Sequence, residues 1–158
     1  MLVSALPPDV LSTKANILID RTGHACLADF GLLTIISDPT IFTASSYRLA
    51  RGTTRWMSPE LLDPDRFGLK DCRPTKESDS YSLGMVIYEV LSGQVPLSQW
   101  NEWIVMQKVI EGERPAKPDG AEGAWFIDDL WEILTQCWAT QPESRPGVNG
   151  VLEHLNQV

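Results

Sequence analysis

The chain has 158 residues, 43% hydrophobic and 22% charged, with a formal net charge of −8. That length allows one domain with a real core and is too short for two of ordinary size. The acidic balance weighs against nucleic acid or an anionic membrane surface as the main partner. In chain order, residues 1–14 are expected to be irregular, because Pro7-Pro8 prevents a helix there. Ala15 to Asp20 and His24 to Ala28 are short β-prone runs around Arg21-Thr22-Gly23 and predict a hairpin. From Asp29 to Glu60 neither a helical nor a strand period holds, and a loop of that length inside a domain is usually functional or mobile.

After Pro59 the pattern turns helical. Tyr81 to Leu91 is apolar on nearly every face, with Glu89 its one charge, which predicts a buried helix at the centre of the domain. Ser78 or Asp79 is a natural N-cap for it and Gly93 a natural stop. A second helix is expected from about Gln99 to Glu111, followed by a loop marked by Pro115 and Pro118. A third is expected from about Ile127 to Trp138, with Asp128 and Asp129 in a first turn whose dipole favours negative charge. A fourth opens at Pro146 and carries Val148, Val151, Leu152 and Leu155. The fold expected is mainly α with a small β-hairpin at its start.

Four strings carry chemistry. Asp29-Phe30-Gly31 stands thirteen residues after Asn16, and a carboxylate beside an amide oxygen suits a hard cation such as Mg²⁺. The long loop ends in Gly52-Thr53-Thr54-Arg55-Trp56-Met57-Ser58-Pro59-Glu60. Asp79-Ser80-Tyr81-Ser82-Leu83-Gly84 opens the apolar run, and Cys137-Trp138-Ala139-Thr140-Gln141-Pro142-Glu143-Ser144-Arg145-Pro146 stands near the end. In this order they resemble the C-terminal lobe of a eukaryotic protein kinase, most closely the tyrosine-kinase-like group of serine/threonine kinases. The resemblance implies a partial kinase domain over residues 15–158, with phosphoryl transfer from Mg-ATP to a protein serine or threonine as the parent activity.

Carried over by position, the resemblance makes Asn16 and Asp29 the Mg²⁺ and nucleotide-binding residues. Phe30 would pack against the regulatory parts of the fold, and Gly31 would let the backbone turn. Thr53 would line the peptide-substrate site and brace the catalytic loop. Glu60 and Arg145 would form a buried ion pair, and Asp79 would hold the catalytic-loop backbone. Two positions depart from the pattern. The family's proton-accepting aspartate, five residues before the metal-binding Asn, is Leu11 here, and a leucine takes no proton. The partner lysine position is Thr13, with Lys14 one place off. No glycine-rich loop, phosphate-pairing lysine or partner glutamate precedes it, so the N-terminal lobe is expected to be missing from this chain. No intact catalytic set, weak Mg-ATP binding and no turnover are therefore expected of the chain alone. A catalytically dead kinase-lobe fragment that binds other proteins is the alternative.

Other residues have plainer readings. Thr53, Thr54, Ser45, Ser46 and Tyr47 are loop hydroxyls open to phosphorylation. His24 is expected on a strand and His154 on a helix surface, neither with a catalytic partner. Trp131 and Trp138 have core spacing, while Trp100 and Trp103 sit on a helix that could dock a partner. Cys26, Cys72 and Cys137 show no zinc-like spacing and are expected to be buried or inert, as in a reducing compartment. The start MLVSALPPDV lacks the features of a secretory signal, and no apolar run approaches the ~20 residues that span a bilayer. A cytoplasmic or nuclear protein acting on protein substrates or partners is expected, of unknown oligomeric state.

Overall fold

Asp20 closes the first element. Its Oδ1 accepts from the backbone N–H groups of Thr22 and His24 at 2.8 and 2.9 Å, and from the Thr22 hydroxyl at 2.7 Å. A carboxylate that gathers neighbouring donors in this way fixes a turn without a long loop. It joins β1 (Ile17–Ile19) to an antiparallel β2 (Ala25–Leu27), with Leu18 opposite Cys26. The computed structural model describes residues 17–22, 24–27, 54–70 and 73–156. Asn16, Asp29, Phe30, Gly31, Thr53, Leu11 and Cys72 lie outside those residues, as do Thr13, Lys14, Ser45, Ser46 and Tyr47.

Among the described residues six helices follow: α1 (Pro59–Leu62), α2 (Lys76–Ser92), α3 (Glu102–Glu111), α4 (Gly120–Gly123), α5 (Asp128–Cys137) and α6 (Val148–Leu155). Single 3-10 turns stand at Thr54–Trp56, Pro64–Phe67 and Pro142–Ser144. The long apolar helix starts earlier than its apolar run suggests. Its cap is Thr75, not Ser78 or Asp79. The Thr75 side chain accepts from the Ser78 N–H, and Ser78 Oγ accepts from the Thr75 N–H, a reciprocal capping box. At the other end Gly93 takes the left-handed conformation (φ 71°) that releases the chain at little cost.

The helix α3 starts at its Asn101 cap rather than at Gln99, because the Asn101 carboxamide satisfies the Ile104 N–H. The helix α6 starts two residues past Pro146, with Gly147 as cap. The α5 boundaries fall within one residue of the expected ones, and Trp138 caps its end.

The helix α2 is the packing centre, touching α4, α5, α6 and the turn at Thr54–Trp56. Tyr81 and Met85 of α2, Val105 and Val109 of α3, Leu134 of α5 and Val151 of α6 are fully enclosed. Each such side chain contributes about 1.5–3 kcal/mol by leaving water. The helix is not apolar all round in the way the run suggests: Val90 is exposed, while Ser78, Ser80, Ser82 and Glu89 are buried. At Gly84 a side chain has no room, since a Cβ would stand 2.7 Å from Trp138 Nε1 and 2.9 Å from the Cys137 Cβ. That missing side chain lets α5 approach α2 closely. Tyr88, Phe126, Trp131 and Trp138 form a chain of tilted and edge-on ring contacts with centroids 5.6–6.0 Å apart.

Trp138 is buried as expected and Trp131 half-buried, but Trp103 is exposed. Cys26, expected to be buried or inert, is exposed; among the described residues its strand pairs with β1 alone. Among the described residues no helix is long and apolar enough to cross a membrane.

Candidate functional site

The segment Thr54–Leu62 ends the long loop, and almost every part of it is tied down. A 3-10 turn gives way to α1, with Pro59 at the first helical position, where its fixed φ is already suitable. Met57, Ser58, Glu60, Leu61 and Leu62 are buried. Burial of so polar a stretch is stable only if its groups find partners.

Three sets of partners hold it. Arg55 donates through Nη1 to the Pro96 and Leu97 carbonyls at 3.0 and 2.7 Å, and through Nη2 to the Trp100 carbonyl at 2.6 Å. One of these acceptors is strained: Leu97 has φ 54° without being glycine, a conformation that costs about 1–3 kcal/mol. Trp56 Nε1 donates to Glu89 Oε2 at 3.2 Å, and the Ser82 hydroxyl reaches the Trp56 carbonyl at 2.8 Å. Glu89, the single charge of the apolar run, is therefore a buried acceptor for the loop's tryptophan.

The third set is an ion pair. Arg145 meets Glu60 with two parallel bonds, Nη1 to Oε1 and Nη2 to Oε2, both 2.7 Å. The two side chains are 0% and 3% exposed. The remaining donors of Arg145 go to the carbonyls of Ala139, Glu77 and Thr140 at 2.8, 3.1 and 3.3 Å. All five N–H groups of the guanidinium are thus used, the condition under which a buried charge is tolerated. The pair joins α1 to the turn before α6 across 85 positions of sequence.

Tyr81 lies beside this joint, with the Arg145 and Arg114 guanidinium groups 5.2 and 5.3 Å from its ring centre. Arg114 is itself held by the Trp138 and Val109 carbonyls at 2.8 and 3.0 Å. Burial pushes the Tyr81 phenol up to about 12, against the pull of the two guanidinium groups. Burial likewise pushes the Cys137 thiol up to about 12, so this cysteine is an inert part of the core. His154 carries its Nε2 to 3.0 Å from the Asp129 carbonyl, a structural contact between α5 and α6.

Of the residues singled out in the sequence, Glu60 and Arg145 are brought together. Asp79 stands in the first turn of α2, two positions after Glu77, whose carbonyl Arg145 contacts. Asn16, Asp29, Phe30, Gly31 and Thr53 lie outside the described residues. Among the described residues no group of three His, Cys, Asp or Glu side chains could hold a metal ion. Arg55, Trp56, Arg114 and Tyr81 carry no individual mark in the sequence. A lone carboxylate in an apolar run was the one available signal, and it points to Glu89.

Comparison with known proteins agrees with this layout. The family described as "Protein tyrosine and serine/threonine kinase" matches residues 11–155. Receptor-interacting serine/threonine-protein kinase 3 of Rattus norvegicus is 31% identical over 91% of the chain and 30% of its own length. Serine/threonine-protein kinase mos of Patiria pectinifera is 30% identical over 90% of the chain and 38% of its own length. Dual specificity protein kinase pyk3 of Dictyostelium discoideum is 31% identical over 90% of the chain and 9% of its own length. The chain thus spans between 9% and 38% of the length of these three curated relatives. Since the match runs from before the hairpin to the last helix, the chain belongs to the protein tyrosine and serine/threonine kinase family.

Proposed function

We propose that the chain forms the C-terminal lobe of a protein serine/threonine kinase domain, whose reaction moves a phosphoryl group from Mg-ATP to a hydroxyl of a protein substrate. The observation that carries this reading is the buried clamp of Arg145, Glu60, Arg55 and Trp56 on the segment Thr54–Leu62. A segment fixed through its own backbone and side chains is a rigid platform against which a peptide can be placed. In this reading Thr53, next to the clamped turn, lines the peptide site, and Asp79 braces the catalytic loop. Asn16 and Asp29 hold Mg²⁺ and the nucleotide, whose phosphates the metal neutralises. Phe30 and Gly31 shape the start of the loop.

Leu11 supports a second reading. With an alkyl group where the family places its proton-accepting carboxylate, the substrate hydroxyl is not activated. The chain then serves as a catalytically dead lobe that binds other proteins. The two readings part in one assay. The purified chain, incubated with Mg-ATP and a degenerate serine/threonine peptide mixture, is expected to transfer no phosphate. Turnover abolished by Asp29→Ala would overturn this and establish an active site. Sequencing the transcript across its 5′ end adds an independent check, since a histidine-x-aspartate loop joined in frame would restore the first reading in full.

A further inference from the structure

Between α4 and α5 the chain runs through Trp125-Phe126-Ile127. Phe126 is 1% exposed, and its ring lies against Tyr88 and Trp131 at 5.6 and 5.7 Å. Its two neighbours face the other way: Trp125 is 68% exposed and Ile127 48%. The backbone holds them there. The Phe126 N–H donates to the Gly123 carbonyl at 3.0 Å, and the Ile127 carbonyl accepts from the Trp131 N–H at 2.9 Å. An indole and a branched alkyl side chain thus stand in water on a fixed stretch of chain, the arrangement of an interface anchor.

Carboxylates flank this pair. Asp119 precedes it, Asp128 and Asp129 open the helix directly after Ile127, and Glu132 follows one turn on; all four are exposed. Lys117 pairs with Asp128 at 2.8 Å and is the one cation that any of the four meets among the described residues. The patch is therefore apolar at its middle and acidic at its rim. A second copy of the chain would set acid against acid, and the whole molecule carries −8. Nucleic acid and anionic membrane surfaces are repelled in the same way. A wholly apolar partner would strip water from the rim and return nothing for it.

We propose that this surface docks a basic protein segment that seats an aliphatic or aromatic side chain on Trp125 and Ile127 and sets lysines or arginines against Asp129 and Glu132. Such a contact is steered by charge and held by the aromatic anchor, so it weakens as salt rises. It does not depend on phosphoryl transfer by the chain.

The test is fluorescence anisotropy of a labelled Lys-Lys-Leu-Trp-Lys-Lys peptide titrated with the whole chain, its Trp125→Ala and Asp129→Lys/Glu132→Lys variants, and Trp103→Ala as a control at another exposed tryptophan. Both patch variants are expected to weaken binding about thirtyfold, the loss typical of an interface hot spot. Trp125→Ala should leave the thermal melt unchanged, since it alters an exposed side chain, whereas Asp129→Lys/Glu132→Lys should lower it slightly, because it sets positive charge in the first turn of α5 and removes the bond from Gln136 to Glu132. Trp103→Ala should bind like the parent, and the Glu-for-Lys version of the peptide should not bind. Three results would each overturn the proposal: no binding above that of Trp125→Ala, equal weakening by Trp103→Ala, or binding that is indifferent to the peptide's charge. Self-association of the chain that Trp125→Ala removes would assign the surface to a second copy instead.

Discussion

Two ion pairs in this molecule have nearly the same contact distance. Arg145 and Glu60 meet at 2.7 Å, and Lys117 and Asp128 at 2.8 Å. Their surroundings are opposite. The first pair is closed off from water, whereas in the second the Asp128 side chain is 100% exposed and that of Lys117 36%. Contact distance alone would rank the two together. Burial separates them, because a charge whose partner is removed inside the protein cannot fall back on water, while one at the surface can. The difference is also topological: the buried pair ties α1 to the turn before α6, and the exposed one staples the loop after α3 to the first turn of α5.

The largest expected effect lies at the buried pair. Glu60→Gln leaves the Arg145 charge enclosed without a counter-ion and should cost about 3–5 kcal/mol in denaturant unfolding. A matching loss for Asp128→Asn would break the comparison. Replacing both buried partners, as Glu60→Leu with Arg145→Met, should recover part of the loss, which would sharpen it. Gly84→Ala asks whether burial is as demanding without charge. The new methyl would have to displace Trp138 and Cys137, at about 1–3 kcal/mol, read by thermal melting.

Alkaline pH tests the buried neutral acids. Unfolded, Cys137 and Tyr81 release protons near 9.0 and 10.0, and folded they hold them to about 12. Their raised values mean that their contribution is full below about pH 9 and is lost as pH rises through about 12. The melting temperature should fall across that window. Tyr81→Phe should flatten the part above pH 10.0, where the phenol titrates when unfolded. It should cost little at neutral pH, since the hydroxyl has no hydrogen-bond partner among the described residues. The smallest effect is expected of Asp128→Asn. Lys117 holds the Asp128 carboxyl below its ordinary range, yet the exposed pair should leave the melting temperature unchanged at physiological salt.

How much of this was legible in the sequence depends on what kind of partner a residue has. The helix α5 is legible to within one residue because its apolar positions repeat at helical spacing and two aspartates mark its first turn. Glu60 and Arg145 were legible only through family motifs; nothing in their local sequence says that they meet. The edge of the apolar run, at Ser78 and Asp79, does not mark the start of α2, because its capping box begins a turn earlier at Thr75, in polar sequence. The grip of Arg55 was illegible, since its three acceptors are carbonyls, which every residue possesses. Leu97 gave no warning of its left-handed backbone, because nothing about leucine favours it. The exposure of Trp125 was hidden for the converse reason: tryptophan leads one to expect a core.

Tyr81 joins two arginines that have no hydrogen bond to each other. Arg145 belongs to the joint with α1, and Arg114 to the loop after α3, yet the same ring is packed against both guanidinium groups. Neither can shift without changing what the other rests on. The energetic contributions of the two arginines are consequently not separable: substitutions at both, made together, measure a coupling that runs through the Tyr81 ring and through the segment Trp138–Thr140 that both also grip. Two parts of the chain distant in sequence are thereby made to loosen as one unit.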